Sequence, residues 1–352
     1  MRVAMISTPY VPVPPPRYGG TELIVAELVT GLRDAGHEVT LFATNDSRPP
    51  EGVTLRARQK PIWPPEPYAE LDHAAWAMEQ ILSDSRRYDV VHAHVPAALP
   101  FAAMIDAPMV YTVHHDDGPE HARLSPLYRR SRAQFVAISA RQQQLIPELA
   151  DARVIHHGLD ASRHIFGRGD GGYCAFLGRL APEKGVHHAL DAAQLAGLPI
   201  RVGGAPHWND HDYFAREIAH RLQRPGVSRL GEVGGAAKQE LLAGARALLF
   251  PIEWEEPFGL VMIEAMLSGT PVLAFARGSV PEVLDEGVTG FICRDVDELA
   301  VRLRSLDHFD RAACRQRALE RWTTARMVRD HLVVYEQLQT WVGDVGAAET
   351  VA

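Results

Sequence analysis

Two carboxylates bracket a short apolar run in Glu256-Pro257-Phe258-Gly259-Leu260-Val261-Met262-Ile263-Glu264-Ala265-Met266. Pro257 and Gly259 interrupt regular structure, so Glu256 belongs to a loop, while 260–267 reads as a helix. Phe258 and Gly259 then sit just before the helix N-terminus. First-turn N–H groups lack intrahelical acceptors and can hold an anion or sugar hydroxyls. Glu264, about one turn in, is placed to accept from ribose hydroxyls. A plainer reading makes Glu256 a first-turn acid favoured by the helix dipole and Glu264 part of a solvated face; this segment alone leaves both open. A second segment, Leu177-Gly178-Arg179-Leu180-Ala181-Pro182-Glu183-Lys184-Gly185, carries two cations and a glycine where a strand hands over to a helix. That combination suits a diphosphate, the guanidinium forking to its oxygens and the ammonium adding a point charge. The alternative is an exposed charged loop with Lys184 paired to Glu183.

Such loops need a scaffold of strands and helices. Residues 3–7 form an apolar run, followed by a Pro/Gly loop from Pro9 to Gly20. Thr21 is the expected N-cap of the next helix, with Glu22 and Glu27 in its acid-favouring first half. Ile24, Leu28, Leu32 and Ala35 recur at helical spacing, Gly36 suits the C-cap, and 38–43 reads as a strand. This is a βαβ unit, the building block of parallel sheets with helices on both faces. Short buried strands are expected at 90–92, 110–113, 135–138 and 153–155. A second series follows at 173–177, 200–202, 228–230, 247–250, 271–274 and 290–293, with a helix at 186–196. Helices are expected at 299–306, 311–320 and 325–341. The glycine-dense stretch Ile165-Phe166-Gly167-Arg168-Gly169-Asp170-Gly171-Gly172 separates the two series and reads as a linker. The expected fold class is therefore α/β, with two doubly wound, Rossmann-like domains, 1–164 and 165–332, facing across a cleft. Ligands of such sheets bind outside the carboxyl ends of the strands.

The 352 residues carry 36 Lys+Arg against 44 Asp+Glu, a formal net charge of −8, which excludes a general nucleic-acid binder with a basic face. Three widely spaced cysteines, Cys174, Cys293 and Cys314, make neither a disulfide framework nor a CxxC metal site. They fit a reducing, cytoplasmic setting. The start of the chain lacks an apolar core ending in a cleavage site, and no apolar stretch approaches the ~18 residues of a membrane span.

Taken together, the first segment resembles the E-x7-E signature of family 4 retaining glycosyltransferases, and the second resembles that family's G-R-L-x-x-x-K-G loop. Further similar pieces follow in order: Tyr18-Gly19-Gly20-Thr21-Glu22, Asp89-Val90-Val91-His92-Ala93-His94, Tyr111-Thr112-Val113-His114, Val154-Ile155-His156-His157-Gly158-Leu159-Asp160 and Gly269-Thr270-Pro271-Val272. The resemblance implies the two-Rossmann-domain GT-B architecture, with a final helix, 333–352, packing back on the first domain. It implies a nucleoside-diphosphate sugar as donor, with UDP favoured, a hydroxyl acceptor, and no required cofactor or metal. Arg179 and Lys184 would hold the diphosphate and Glu264 the ribose. Glu256 would contact the transferred sugar, helped by the backbone of Phe258, Gly259 and Leu260. Gly19 and Gly20 would let backbone approach the donor phosphate. His114 matches a histidine near the reacting sugar, and the stretch holding Glu232 and Val233 passes the nucleobase. His157 stands where the family often has Asn before its glycine, in a structural stretch. Sugar transfer with retention is implied, the leaving phosphate oxygen taking the acceptor's proton, with the glycine-rich linker as hinge of a closing cleft.

Other strings carry less. Gly167 to Gly172 matches GxGxxG but precedes its strand, so it fails the dinucleotide context. Asp295-Val296-Asp297 matches DxD but opens a helix, where N-capping is expected. His114-His115-Asp116-Asp117 with His121 could ligate a metal, although seventeen histidines make chance clusters common. Arg123, Arg129, Arg130 and Arg132, and Arg48, Arg56, Arg58 and Lys60, form basic patches open to an acidic acceptor, a peripheral membrane surface or plain solvation. The Pro- and aromatic-rich stretch 61–68 lines an acceptor pocket or forms a stiff surface loop. A sugar-nucleotide epimerase or another enzyme of this architecture is the main alternative. An NAD-dependent dehydrogenase and a non-catalytic sugar-nucleotide binder stand behind it.

Overall fold

The computed structural model describes the chain except Tyr18, residues 207–209 and 350–352, and the side chains of 341–349. The chain folds into two units, Met1–Gly158 with Thr324–Ala352, and Leu159–Thr323. The passages at 158/159 and 323/324 contrast with the 164/165 and 332/333 read from the sequence.

The first unit is built on seven parallel strands: β1 (Arg2–Ile6), β2 (Glu38–Ala43), β3 (Val53–Ala57), β4 (Val90–Ala93), β5 (Met109–Thr112), β6 (Gln134–Ala137) and β7 (Arg153–Val154), in the order β3-β2-β1-β4-β5-β6-β7. Central strands such as Val-Ala-Met-Ile of β1 are apolar throughout because helices cover both faces of a parallel sheet. Met5 sits in register with Leu41 on one side and His92 on the other. The helices are α1 (Gly20–Asp34), α2 (Ala69–Ser83), α3 (Pro119–Tyr128), α4 (Ala140–Leu145) and, after the second unit, the long C-terminal helix Thr324–Glu349. On α1, Ile24, Val25, Leu28, Val29 and Leu32 are buried. Thr21 does not cap α1: the helix starts one residue earlier, and its N-cap, Gly19, has no side chain to contribute. Gly36 lies just past the C-cap Ala35 with φ +83, the left-handed geometry expected there. The C-terminal helix packs directly on α1, where a Cβ on Gly31 would fall 2.5 Å from Val328 Cγ2. The Thr324 hydroxyl also donates to Glu27.

The second unit repeats the winding with six parallel strands: β8 (Cys174–Leu177), β9 (Ile200–Gly203), β10 (Val227–Gly231), β11 (Leu248–Phe250), β12 (Val272–Phe275) and β13 (Gly290–Cys293), in the order β10-β9-β8-β11-β12-β13. Its helices are α5 (Val186–Ala196), α6 (His211–Tyr213), α7 (Gly235–Gly244), α8 (Leu260–Leu267), α9 (Val280–Val283), α10 (Val296–Arg304) and α11 (Arg311–Arg321); the C-terminal helix is α12. Asp295 caps α10 by accepting from the Glu298 N–H, as its position demands. In both sheets the winding direction reverses beside the first strand, between β1 and β4 and between β8 and β11. That switch point leaves a gap between diverging loops at the carboxyl edge, where doubly wound sheets bind ligands.

The glycine-rich stretch is not a free linker. It belongs to the second unit and is docked against the ends of α8 and α7: the Gly167, Gly169 and Gly171 N–H groups donate to the Ser268, Ala243 and Gly244 carbonyls at 3.1, 3.2 and 3.0 Å. Arg311 adds a bond to the Gly167 carbonyl at 2.8 Å. A Cβ on Gly167 would lie 1.9 Å from the Ala243 oxygen, so glycine is required for close approach. Gly167→Ala is expected to destabilise the protein by about 1–3 kcal/mol through overpacking, read as a lowered Tm; an unchanged Tm would mark the stretch as a true linker.

Candidate active site

At the second unit's switch point the loop after β8 and the loop after β11 cross in contact. Gly185 has φ +65, and a Cβ there would fall 1.8 Å from the Pro251 carbonyl oxygen. Gly278, after β12, would likewise place a Cβ 2.3 Å from the Glu256 backbone N and O. Glycine at both positions lets three loops interlock. The Glu253 N–H donates to the Glu183 carbonyl at 2.9 Å, and the Ser279 N–H to the Glu256 carbonyl at 3.0 Å.

This crossing sets the charges. Lys184 forms an ion pair with Glu256, both side chains largely buried. The Trp254 indole N–H donates to the same Glu256 oxygen at 2.9 Å, and the Lys184 ammonium lies 4.5 Å from the Trp254 ring centroid. The carboxylate, the ammonium and the indole thus form one clamped group. Lys184 therefore does not pair with its neighbour Glu183; Arg179 does, at 3.0 Å, and both of those side chains are partly exposed. Glu264 is buried, not on a solvated face, and is matched by Lys238 of α7. Both carboxylates of the bracketing pair are thus neutralised by lysines from other elements.

Between them, α8 begins at Leu260 after Gly259, whose φ is +78 and which offers no side-chain cap. First-turn N–H groups such as those of Leu260 and Val261 have no intrahelical acceptor. Phe258 anchors the turn: its ring meets Trp322 edge-on at 5.9 Å, and its carbonyl accepts from the Ser279 hydroxyl at 2.7 Å. Glu232 and Val233 follow β10, two strands away along the same edge, where Val233 borders Gly203 at the end of β9. The second unit thus gathers Arg179, Lys184, Glu232, Val233, Glu256, Phe258, Gly259, Leu260 and Glu264 along the carboxyl ends of one sheet. Trp254, Lys238 and Ser279 join them. Trp254 was within reach of sequence reasoning, being two residues from Glu256, whereas nothing local marks Lys238 as a partner of Glu264.

Gly19, Gly20 and His114 belong to the first unit. Tyr18, which opens their motif, lies outside the described residues. Gly19 has φ +157, and a Cβ on it would fall 2.8 Å from Pro15 Cβ. Gly20 is the first residue of α1, and Glu22, one turn in, is buried and accepts from the Thr8 hydroxyl. Burial pushes the Glu22 carboxyl above its usual range.

His114 is part of a run of rings spread widely over the sequence. His114 Nε2 lies 2.8 Å from His94 Nδ1, and His94 Nε2 lies 3.2 Å from Met5 Sδ. A thioether only accepts, so His94 carries its proton on Nε2 and its Nδ1 must accept from His114 Nε2–H. His114 Nδ1 is then the unprotonated, accepting nitrogen. His157 stacks on His114 at 5.5 Å, and His92, bonded to Tyr335 at 2.6 Å and Thr112 at 2.8 Å, continues to His331 at 5.3 Å. Burial, then mutual repulsion, keeps these rings neutral: His114 is pushed down to about 3, His331, by burial, to about 4, and His92, His94 and His157 well below the ordinary value. The metal reading of the neighbouring run finds no convergence. His115 bonds the Asp116 carbonyl and Tyr128, and His121 bonds Glu148 at 2.9 Å.

The sign of the pH effect follows. Because the folded pKa values lie below the unfolded value of about 6.5, the unfolded chain binds more protons once the pH falls below that value. Stability is therefore full above pH 6.5 and declines toward pH 4. Each such histidine contributes a slope of about 1.4 kcal/mol per pH unit. Thermal unfolding between pH 7.5 and 4.5 should show a Tm that is flat above pH 6.5 and falls steeply below it; a flat profile throughout would contradict the neutral cluster.

Residues 18–163 match the family described as Glycosyltransferase Family 4, and residues 162–320 match the one described as Glycosyl transferases group 1. A glycogen synthase of Mycobacterium tuberculosis (strain ATCC 25618 / H37Rv) is 31% identical over 375 residues, covering 90% of this chain and 88% of that protein. Among solved structures, AviGT4, a glycosyltransferase involved in avilamycin A biosynthesis, is 25% identical with a TM-score of 0.73, covering 97% of this chain and 98% of its own. Anabaena Alr3699/HepE, in complex with UDP-glucose, is 21% identical with a TM-score of 0.74, covering 96% and 100%. The two parallel-sheet domains are those of the GT-B fold.

Proposed function

As the chain belongs to glycosyltransferase family 4, we propose that it transfers a sugar from a nucleoside-diphosphate sugar, UDP being the favoured nucleotide, to a hydroxyl acceptor with retention at the anomeric carbon. The observation that carries this reading is the second unit's switch point, where Arg179, Lys184 and the uncapped start of α8 are gathered beside a buried carboxylate. A diphosphate reaching that loop competes with Glu183 and Glu256 for the two cations. Arg179 and Lys184 then stabilise the charge that grows on the phosphate oxygen as its bond to the anomeric carbon breaks. Glu256, released from Lys184, and the backbone of Phe258, Gly259 and Leu260 meet the sugar hydroxyls. Glu264 receives the ribose hydroxyls, and the stretch at Glu232 and Val233 borders the base. The acceptor oxygen bonds the anomeric carbon, and its proton passes to the departing phosphate oxygen. His114, with an unprotonated Nδ1, accepts a hydrogen bond from a hydroxyl, and Gly19 and Gly20 keep side chains away from the phosphates. Complexes of the Anabaena protein with UDP-glucose support the choice of nucleotide at the level of fold.

The reading places the reaction in the cytoplasm, consistent with three buried free thiols. Among the described residues no helix is long and apolar enough to cross a membrane. The cations of the chain itself serve as the electrophilic clamp, so the transfer is expected to run at the same rate with and without added Mg2+.

Arg179→Ala and Lys184→Ala should each lower kcat by about 10²–10³-fold, the loss of a clamp worth roughly 2.7–4 kcal/mol. Near-wild-type turnover in Arg179→Ala would defeat the assignment, since its ion-pair partner Glu183 is partly exposed and the fold does not depend on it. UDP or another nucleoside diphosphate at 100 times its Kd should stabilise the protein by about 2.7 kcal/mol, seen as a Tm shift that NAD does not produce. A shift with NAD alone would favour the dehydrogenase reading instead.

A further inference from the structure

His187 and His188 open α5 just past Lys184, and Glu253 lies in the loop after β11. His187 Nε2 is 3.6 Å from one Glu253 oxygen, and His188 Nε2 is 3.2 Å from the other. One ligand atom from each of the three side chains lies within 4.8 Å of the others. The first separation is longer than a hydrogen bond and the second is at its outer limit. The two contacts go to different oxygens of one carboxylate, and with one atom taken from each side chain the three ligand atoms still lie close enough to converge on a single ion.

Consecutive helical side chains normally diverge by about 100° around the axis. Here the two rings instead turn to one spot, their centroids 3.9 Å apart. Each ring is held there from outside. His187 Nδ1 bonds the Tyr213 hydroxyl at 2.8 Å, the kind of outer contact that orients a ligating imidazole. His188 rests edge-on against Phe275 at 5.5 Å. The nearby carboxylate, Asp191, is already engaged by Arg221 and Arg224 and does not compete. Glu253 is fixed through its backbone bond to Glu183.

We propose that His187, His188 and Glu253 form a site for one zinc-class divalent cation, with water completing the tetrahedron. Two imidazoles and a carboxylate suit Zn2+ and its probe Co2+ over Mg2+ or Ca2+, which take oxygen ligands. The ion ties the first turn of α5 to the loop that carries Glu256. Those are the two segments already joined by the Lys184–Glu256 pair, so the ion acts as a structural staple behind that pair and takes no part in bond breaking.

The test uses the full chain, stripped by chelator and dialysed against Zn2+. One bound Zn2+ per chain and a raised Tm are expected. Both should weaken by about tenfold or more in affinity in His188→Ala and in Glu253→Gln, and remain in His308→Ala, which removes an exposed histidine elsewhere. Co2+ in the stripped protein should give the intense visible bands of tetrahedral coordination. Zn2+ binding that persists equally in Glu253→Gln and His188→Ala, or Co2+ showing only the pale spectrum of six-coordination, overturns the site. Glu253→Gln keeps the test decisive if His188→Ala folds poorly, because Glu253 is itself exposed.

Discussion

The contact between Gly185 and the Pro251 carbonyl governs the rest of the second unit. With a side chain at 185 the loops after β8 and β11 could not cross, and Lys184 would not reach Glu256. Left-handed backbone at 185 costs least for glycine, and the Pro251 carbonyl leaves no room there for a Cβ. The same conformation ends the short turn at Pro182–Lys184 and starts α5. One residue therefore sets the direction of a helix, the height of a lysine and the position of a carboxylate loop.

Burying a charge pair is costly unless its geometry and extra hydrogen bonds offset the lost water. The Lys184–Glu256 pair meets that condition through Trp254, which donates to the carboxylate and lies under the ammonium. The Glu264–Lys238 pair lies on neighbouring helices, α8 and α7, and is similarly sheltered. A removed partner would leave a buried ion exposed to nothing. A ligand that substitutes one partner for another keeps the balance, and the proposed diphosphate opposite two cations would be such a substitution.

Much of this was legible in the sequence because the central strands are unbroken apolar runs and the loop signals are glycine and proline. The helix at 186–196 coincides with its expected bounds since Gly185 and Gly197, both left-handed, close it at each end. What was hidden had weak local signals. Strand β3 is an edge strand of only five residues whose Val-Thr-Leu-Arg-Ala alternation leaves every residue half-buried or exposed, and the buried face of α2 relies on His73, Ala74 and Ala77 beside Met78 and Ile81. The glycine-rich stretch misled because composition is the same for a flexible linker and for backbone pressed against α7. Of the site, residue types and loops were readable, but partners were not: Glu264 meets a lysine 26 positions away, and His92, His94, His114, His157 and His331 converge only through the sheet.

The two units share one strand order yet place opposite chemistry at their switch points. The second offers cations and free helix N–H groups, which favour a polyanion. The first offers imidazoles held neutral by burial, a carboxylate bonded to Thr8, and glycine-lined backbone, with Arg326 engaged by the His156 and His157 carbonyls beside the rings. A neutral imidazole with a fixed accepting nitrogen is suited to hydroxyl groups and gains little from phosphate. The fixed tautomer depends on Met5, whose sulfur cannot donate, so the state of His114 is decided two residues back along a chain of contacts. Since β1 carries Met5, β4 leads into His94 and β5 leads to His114, adjacent parallel strands supply the whole relay. The winding that creates the gap at the sheet's edge also fixes which nitrogen of His114 is left to accept, so the same winding, used twice, presents different chemistry on each sheet.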